Sequence, residues 1–419
     1  MSEWLASTLS RAQSVNDWLS PQRQSSLALL RETPWPSRKV EDWRYTSVAA
    51  LDNTPFVNCD AGATSVDAKI EGLDSIDLVF VDGQLQTDIQ ALQLPQGLSI
   101  ASFDNASADS QEPAAAIFAS VKPERHVFGL VNDVLALQGL IIETVEGVVI
   151  QQPVRIIHRF SSGHEAHTRI LVKVASGAKL TVVEEFVGDA LSFNTGFAEY
   201  EVADSAHIEH YRFALQSGAS LSAGGSHFKL ATKAQLNSTL VAFGSDLSRL
   251  DVDVTHAGEH TQAKLNAIYL LDGNEHFDLH STIEHTVPHG TTEENVRGIV
   301  ADKSRAIFNG RIHIHRDAQK TLAELNNRNL LLSRLAEINT KPELEIYADD
   351  VRCAHGATIA EIDKSSLYYL QSRGIDKKQA QVMLNFGFIN ELVDQMPNQV
   401  LANWLRPQLR ERFAAMDVQ

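Results

Sequence analysis

Ala178-Lys179-Leu180, Ala206-His207-Ile208, Ala234-Gln235-Leu236 and Ala263-Lys264-Leu265 repeat one pattern. Their alanines lie 28, 28 and 29 residues apart. Each copy opens an alternating stretch whose first and third residues face the same side of an extended chain. A regular period in the twenties marks a solenoid, in which a coil buries its inner face only against its neighbours. The surrounding strands are β-branched and aromatic, and polar turns rich in Gly, Asp and Ser separate them. The coils are therefore expected to be β rather than α. Gly147 to Ile150, Val154 to Ile157 and Arg169 to Val174 read as further strands. An ordinary β-sandwich with similar strand spacing is the competing architecture.

Toward the N-terminus, Trp4, Leu5, Leu9, Val15, Trp18 and Leu19 recur at three- and four-residue spacings, as one face of a helix would. Pro34-Trp35-Pro36 stops that helix. In Glu41-Asp42-Trp43-Arg44-Tyr45 the aromatic pair is expected to fill a local core. Ile76 to Gly83 reads as a short strand ending in a turn, and Ala101 to Pro113 as a surface loop and domain boundary. Past Asp363 the pattern turns helical. Leu367, Leu370, Ala380, Met383, Leu384, Phe388, Leu392, Val393 and Met396 carry it, Gly374 is the joint and Pro397 the end. Trp404, Leu405 and Leu409 suggest a last short helix. Such a tail can cap the open end of the coil or present a docking face. Three regions follow: an N-terminal helical and mixed part over 1–115, a β-helix over 116–363 and a helical part over 364–419.

The chain has 419 residues, 43% of them hydrophobic, enough to bury a core. Lys and Arg number 36 against 53 Asp and Glu, a net charge of −17, which is the wrong sign for tracking phosphates. Nucleic-acid binding is therefore disfavoured. Two cysteines, Cys59 and Cys353, make no disulfide framework and cannot alone close an iron–sulfur site. No basic n-region precedes an apolar h-region, and no run approaches ~20 apolar residues. No membrane contact and a reducing, cytoplasmic location are expected.

Several familiar chemistries are missing. There is no GxxxxGK[ST] loop, so the chain should not hydrolyse ATP itself. His164-Glu165-Ala166-His167 lacks one residue of the zincin spacing. His256/His260, His276/His280 and His285/His289 are four apart, about 13 Å along a strand and too far to share an ion. His313 and His315 share a strand face, but no third ligand is obvious and they are read as structural. Cys353 and His355 are two apart in strand-patterned sequence, with Cα atoms ~6.5–7 Å apart on one face. They can be two ligands of a thiophilic metal, a nucleophile with its base, or a small buried hydrophobe beside a hydrogen-bonded core imidazole. Spacing leaves all three open.

Asn339 to Thr358, running through Tyr347-Ala348-Asp349-Asp350-Val351-Arg352-Cys353-Ala354-His355-Gly356-Ala357-Thr358, resembles the signature of the SufB/SufD family. Members of that family are scaffold subunits for SUF iron–sulfur cluster assembly. The resemblance extends to Asn309-Gly310-Arg311-Ile312, Gln319-Lys320-Thr321, Leu370 to Ile375, Gly387-Phe388 and Lys39 to Thr46. It covers essentially the whole chain. The absence of cysteine between Gln319 and Ser333, and the Asp-Asp-Val-x-Cys-x-His-Gly-Ala-Thr pattern, match the SufD branch rather than SufB. The resemblance implies a right-handed parallel β-helix with helical flanks. It implies pairing with SufB through the β-helix, docking of the ATPase SufC through the C-terminal helices, and leaves open a homodimer in isolation. Leu370, Arg373, Gly374, Ile375 and Phe388 are the docking positions it points to. A transient iron–sulfur cluster shared with SufB would use His355, with Cys353 beside it, and none would be tightly bound by this chain alone. The role is then non-catalytic. Two rival functions are a β-helix enzyme acting on an acidic polysaccharide, for which no basic cluster stands out, and a Cys–His hydrolase using Cys353.

Overall fold

The computed structural model describes residues 3–52, 56–58 and 69–416, so Cys59 lies outside the described residues. Two ten-stranded sheets dominate it. From Gln138–Thr144 to Arg352–Ala360, successive strands alternate between the sheets, and from His164–Val174 onward each pairs in parallel with the strand two places earlier. This is a parallel β-solenoid of about eight turns between 138 and 360, with helices at both ends of the chain. Pairing between coils, not within antiparallel hairpins, excludes the sandwich.

The repeat explains the interior. His207 pairs with Lys179 on one side and Gln235 on the other, which stacks Ala178, Ala206 and Ala234, all fully buried. The fourth copy departs from the expected phase. Gln262, not Ala263, pairs with Gln235, so Leu236 stands against Ala263 and Thr261 takes the alanine's place. The intervening turn absorbs one residue fewer. Thr261 tolerates the position because its buried hydroxyl bonds His256 Nδ1 at 2.6 Å. One continuous core runs through the coils, from Leu78 and Leu140 to Phe308 and Leu325.

Gly147 to Ile150 forms no strand; only Val149 bridges to Lys179. Ile76–Val81 and Leu98–Ser102 join the sheets. Val154–Arg159 and His164–Val174 contain the two other expected strands.

Part of the outer face of each sheet is also apolar, and helices cover those parts. At the N-terminus the expected single helix is two, α1 (Glu3–Gln13) and α2 (Ser20–Glu32). Asp17 breaks it. Its carboxylate accepts the Leu19 N–H at 3.0 Å and clamps the Arg23 guanidinium, so Trp4 and Leu5 enter one cluster and Trp18 and Leu19 another. The stretch expected as a loop holds α3 (Ala108–Ile117). Ser107 caps it by accepting the Ser110 N–H, and Ala114 and Ile117 are buried; Ser- and Asp-rich composition hid this. With α4 (Val127–Leu135), α1 and α2 pack on Phe193, Phe197, Leu221 and Leu247 of one sheet. Trp43 is buried there under the Arg249 guanidinium, 4.0 Å from its ring centroid, whereas Tyr45 is exposed.

At the C-terminus α5 (Lys364–Ser372), α6 (Lys377–Asp394) and α7 (Gln399–Ala415) follow. The last is long rather than short. Ile389, Leu392, Leu401, Leu405, Leu409 and Phe413 pack on Tyr211, Phe213, Val241 and Ile268 of the second sheet. These helices lie along its flank and not over the end of the coil. No helix of the described residues is long and apolar enough to cross a membrane.

Candidate functional site

The last coil is where the sequence motif falls. Arg352–Ala360 is the terminal strand of its sheet, and Glu337–Ile346 the terminal strand of the other. Pro342 sits in the latter, where a missing N–H costs no ladder bond on the open side. Arg352–Ala360 pairs in parallel with Leu322–Leu331, placing Cys353 against Ala323 and His355 against Leu325. Ala323 and Leu325 face the core, so Cys353 and His355 share the inward face, as their spacing predicts. Eight of the nine residues of the terminal strand are exposed, because no further coil lies on them among the described residues.

Residues flagged upstream hold this strand in place. Lys320, at φ +62°, donates its backbone N–H to Asp350 O at 2.6 Å and forms an ion pair with the Asp350 carboxylate. Gln319 Oε1 accepts the Asp350 N–H at 2.9 Å, and Thr321 O accepts that of Arg352 at 2.9 Å. Arg311 grips Glu345 through both carboxylate oxygens at 2.9 and 2.7 Å. A Cβ on Gly310 would meet Leu325 Cδ1 and Phe308 Cζ at 2.6 Å, so these two side chains pack over the bare glycine.

The two motif side chains differ in state. Cys353 is half-buried against the core, and burial pushes its thiol pKa up from the usual value. His355 is exposed and makes no side-chain hydrogen bond or ion pair among the described residues. No hydrogen bond links Cys353 and His355, so the nucleophile–base arrangement is not formed. What remains is one thiol and one free imidazole at an open edge. Deeper inside, the end of the coil is polar: Thr340 donates to Asn327 Oδ1 at 2.8 Å, as does Asn329 at 2.7 Å.

The α5–α6 joint is a second exposed feature. Gly374, at φ +87°, donates to Gln371 O at 3.0 Å, and Ile375 to Leu370 O at 3.3 Å. These two bonds close a Schellman turn. Leu370 and Ile375 are half-buried and Arg373 exposed. Phe388 packs against the flank core with the Arg297 guanidinium 6.0 Å above it. Tyr368, Tyr369 and Met383 stand exposed beside them.

Histidines separated by a coil, not by four residues, meet. His256 stacks on His285 at 4.0 Å between centroids, and His260 on His289 at 4.5 Å. Glu165 and His167 form a buried pair at 2.7 Å with Arg11 on the same carboxylate. Buried His126, His227 and Asp253 form one cluster, and Glu284, His313 and His315 another. Sequence reasoning missed the first, and of the second it found His313 and His315 but not Glu284. The coil period was the available signal for the second, since Glu284 lies one coil before His313.

Fold and site together define a class: a parallel β-solenoid protein with helices on its flanks and an uncovered terminal coil bearing an imidazole and a thiol. The chain matches the family described as "SUF system FeS cluster assembly, SufBD core domain" over residues 157–388 and "SufBD protein N-terminal region" over 7–156. It belongs to the SufBD family of SUF-system iron–sulfur cluster assembly proteins. It is 34% identical over 404 residues to "Iron-sulfur cluster assembly protein SufD" of Escherichia coli, covering 94% of this chain and 93% of that one. It is 27% identical over 427 residues to "Protein ABCI7, chloroplastic" of Arabidopsis thaliana, at 98% and 89% coverage. It is 24% identical over 402 residues to the SufD of Bacillus subtilis, at 91% and 90% coverage.

Proposed function

We propose that this chain acts as a SufD-type, non-catalytic scaffold subunit that pairs with a SufB-type partner to build a transient iron–sulfur cluster. The observation that carries it is the uncovered strand Arg352–Ala360 with His355 free upon it. An edge of unpaired backbone groups and exposed side chains is what the end of another parallel solenoid would cover. One thiol and one imidazole are too few to hold a cluster, so thiolates must come from the partner. Imidazole in place of thiolate makes the bound cluster less negative and easier to release. His355 is the ligand in this scheme, and Cys353, packed inward, assists.

The α5–α6 joint, with Leu370, Arg373, Gly374, Ile375 and Phe388, is the proposed dock for a SufC-type ATPase. Regions 1–115, 116–363 and 364–419 divide the labour in this reading, and a cytoplasmic location belongs with it. In isolation the same open edge suits a second copy of this chain. A His355→Ala variant co-expressed with its partners should still form the complex and carry no cluster, measured as visible absorbance with iron and sulfide content. Clusters at wild-type level in the purified variant complex would overturn the site.

A further inference from the structure

On the outer face of the sheet opposite the His355 strand, three ligand-type side chains converge. Glu284 and His313 stand in register on the neighbouring strands His276–His285 and Arg305–Ile314. His315 follows just past the strand end, its N–H bonded to His285 O at 3.0 Å. The two imidazoles stack at 4.2 Å between centroids, and Tyr347 packs edge-on against His313 at 5.5 Å. Glu284 Oε1 lies 3.9 Å from His313 Nδ1, and its Oε2 3.5 Å from His315 Nε2. One ligand atom from each residue falls within 4.8 Å of the others.

Two observations separate this from an ordinary surface ion pair. The distances exceed the ~2.7–2.9 Å of a charge-assisted hydrogen bond. His313 Nδ1 and His315 Nε2 are shielded from solvent and make no hydrogen bond among the described residues. The 3.5 and 3.9 Å spacings suit a shared ion, since ligands ~2.0–2.1 Å from a tetrahedral metal are about 3.3 Å apart, and the two stacked rings turn apart to aim at it.

We propose that Glu284, His313 and His315 form a surface site for a divalent first-row transition-metal ion, with its fourth position open. Two imidazoles and a carboxylate favour zinc, cobalt or ferrous iron over magnesium or calcium, which take oxygen ligands. The site is independent of His355 and of any cluster.

The test titrates Co2+ alone into the full-length chain, freed of any tag, and follows the visible d–d absorption of the bound ion. The wild type should take up about one equivalent with tetrahedral-type bands. His313→Ala/His315→Ala should abolish that signal, and Glu284→Gln should weaken binding about tenfold or more. A Cys353→Ser/His355→Ala variant should retain it. No uptake by the wild type overturns the proposal. So does a signal undiminished in His313→Ala/His315→Ala, which would place the ion elsewhere, for instance at His126, His227 and Asp253. If the double variant fails to fold, Glu284→Gln decides, since it keeps the side chain's shape: unchanged affinity sinks the site.

Discussion

His355 stands in register with Leu325 one coil earlier, yet Leu325 is 2% exposed and His355 is open to solvent. The difference lies in what covers them, because Leu325 has a following strand and His355 has none among the described residues. Ile359, on the same strand, is 48% exposed for the same reason. An Ile359→Lys substitution should leave the isolated chain's melting temperature unchanged. It should weaken association with a SufB-type partner by about tenfold or more, since a charge would be buried without a counter-charge. Calorimetric titration of the two purified chains checks this.

The C-terminal helices allow folding and docking to be separated. Tyr368, Tyr369 and Met383 are exposed, whereas Leu405 is fully buried against the second sheet. Tyr368→Ala/Tyr369→Ala should reduce co-purification with a SufC-type ATPase at unchanged stability. Leu405→Ala should instead cost ~2–5 kcal/mol in denaturant unfolding. Truncation after Asp363 is the wrong tool, because it would strip the cover from Tyr211, Phe213 and Ile268.

Glu294 is fully buried inside the solenoid with Oε2 unbonded, and burial pushes its pKa up to about 7. The folded state therefore holds its proton where the unfolded chain, near 4.5, releases it. Stability falls as pH rises from 4.5 through 7, and this group's share of the loss is on the order of 3 kcal/mol by pH 8. Glu294→Gln should flatten the fall, seen as a smaller difference between urea midpoints at pH 5 and pH 8.

His158 stacks between Phe80 and Phe186, at 5.0 and 4.3 Å between centroids, with neither ring nitrogen bonded. Burial lowers its pKa to about 3. Here the sign is opposite: stability is complete above 6.5 and falls as pH drops toward 3, because the unfolded chain gains a proton first. From pH 7.5 to pH 5 the wild type should lose about 2 kcal/mol more than a His158→Phe variant. Parallel losses in the two proteins would show that His158 is protonated in the fold.

Much of this molecule is legible along the chain. The alanine repeat predicts stacked β coils, the glycine at 374 predicts the helix joint, and the motif around Cys353 and His355 marks the coil that proves to be the open end. Alternation alone places those two side chains on one face. Local composition misled where a few polar contacts outweigh it, as when Asp17 splits the first helix or Ser107 caps one in a Ser/Asp-rich stretch.

The sequence by itself determined the coil, its period and the motif on its last strand, because strand alternation and turn chemistry are local. Only the tertiary structure decided the register. Each turn absorbs its own number of residues, so Thr261 rather than Ala263 continues the alanine stack. The same cross-coil register sets Glu284 beside His313 and His315, while apolar packing on the second sheet lays the final helices along a flank instead of across the open end. Such neighbours are brought together by stacking, and spacing within one strand carries no trace of them.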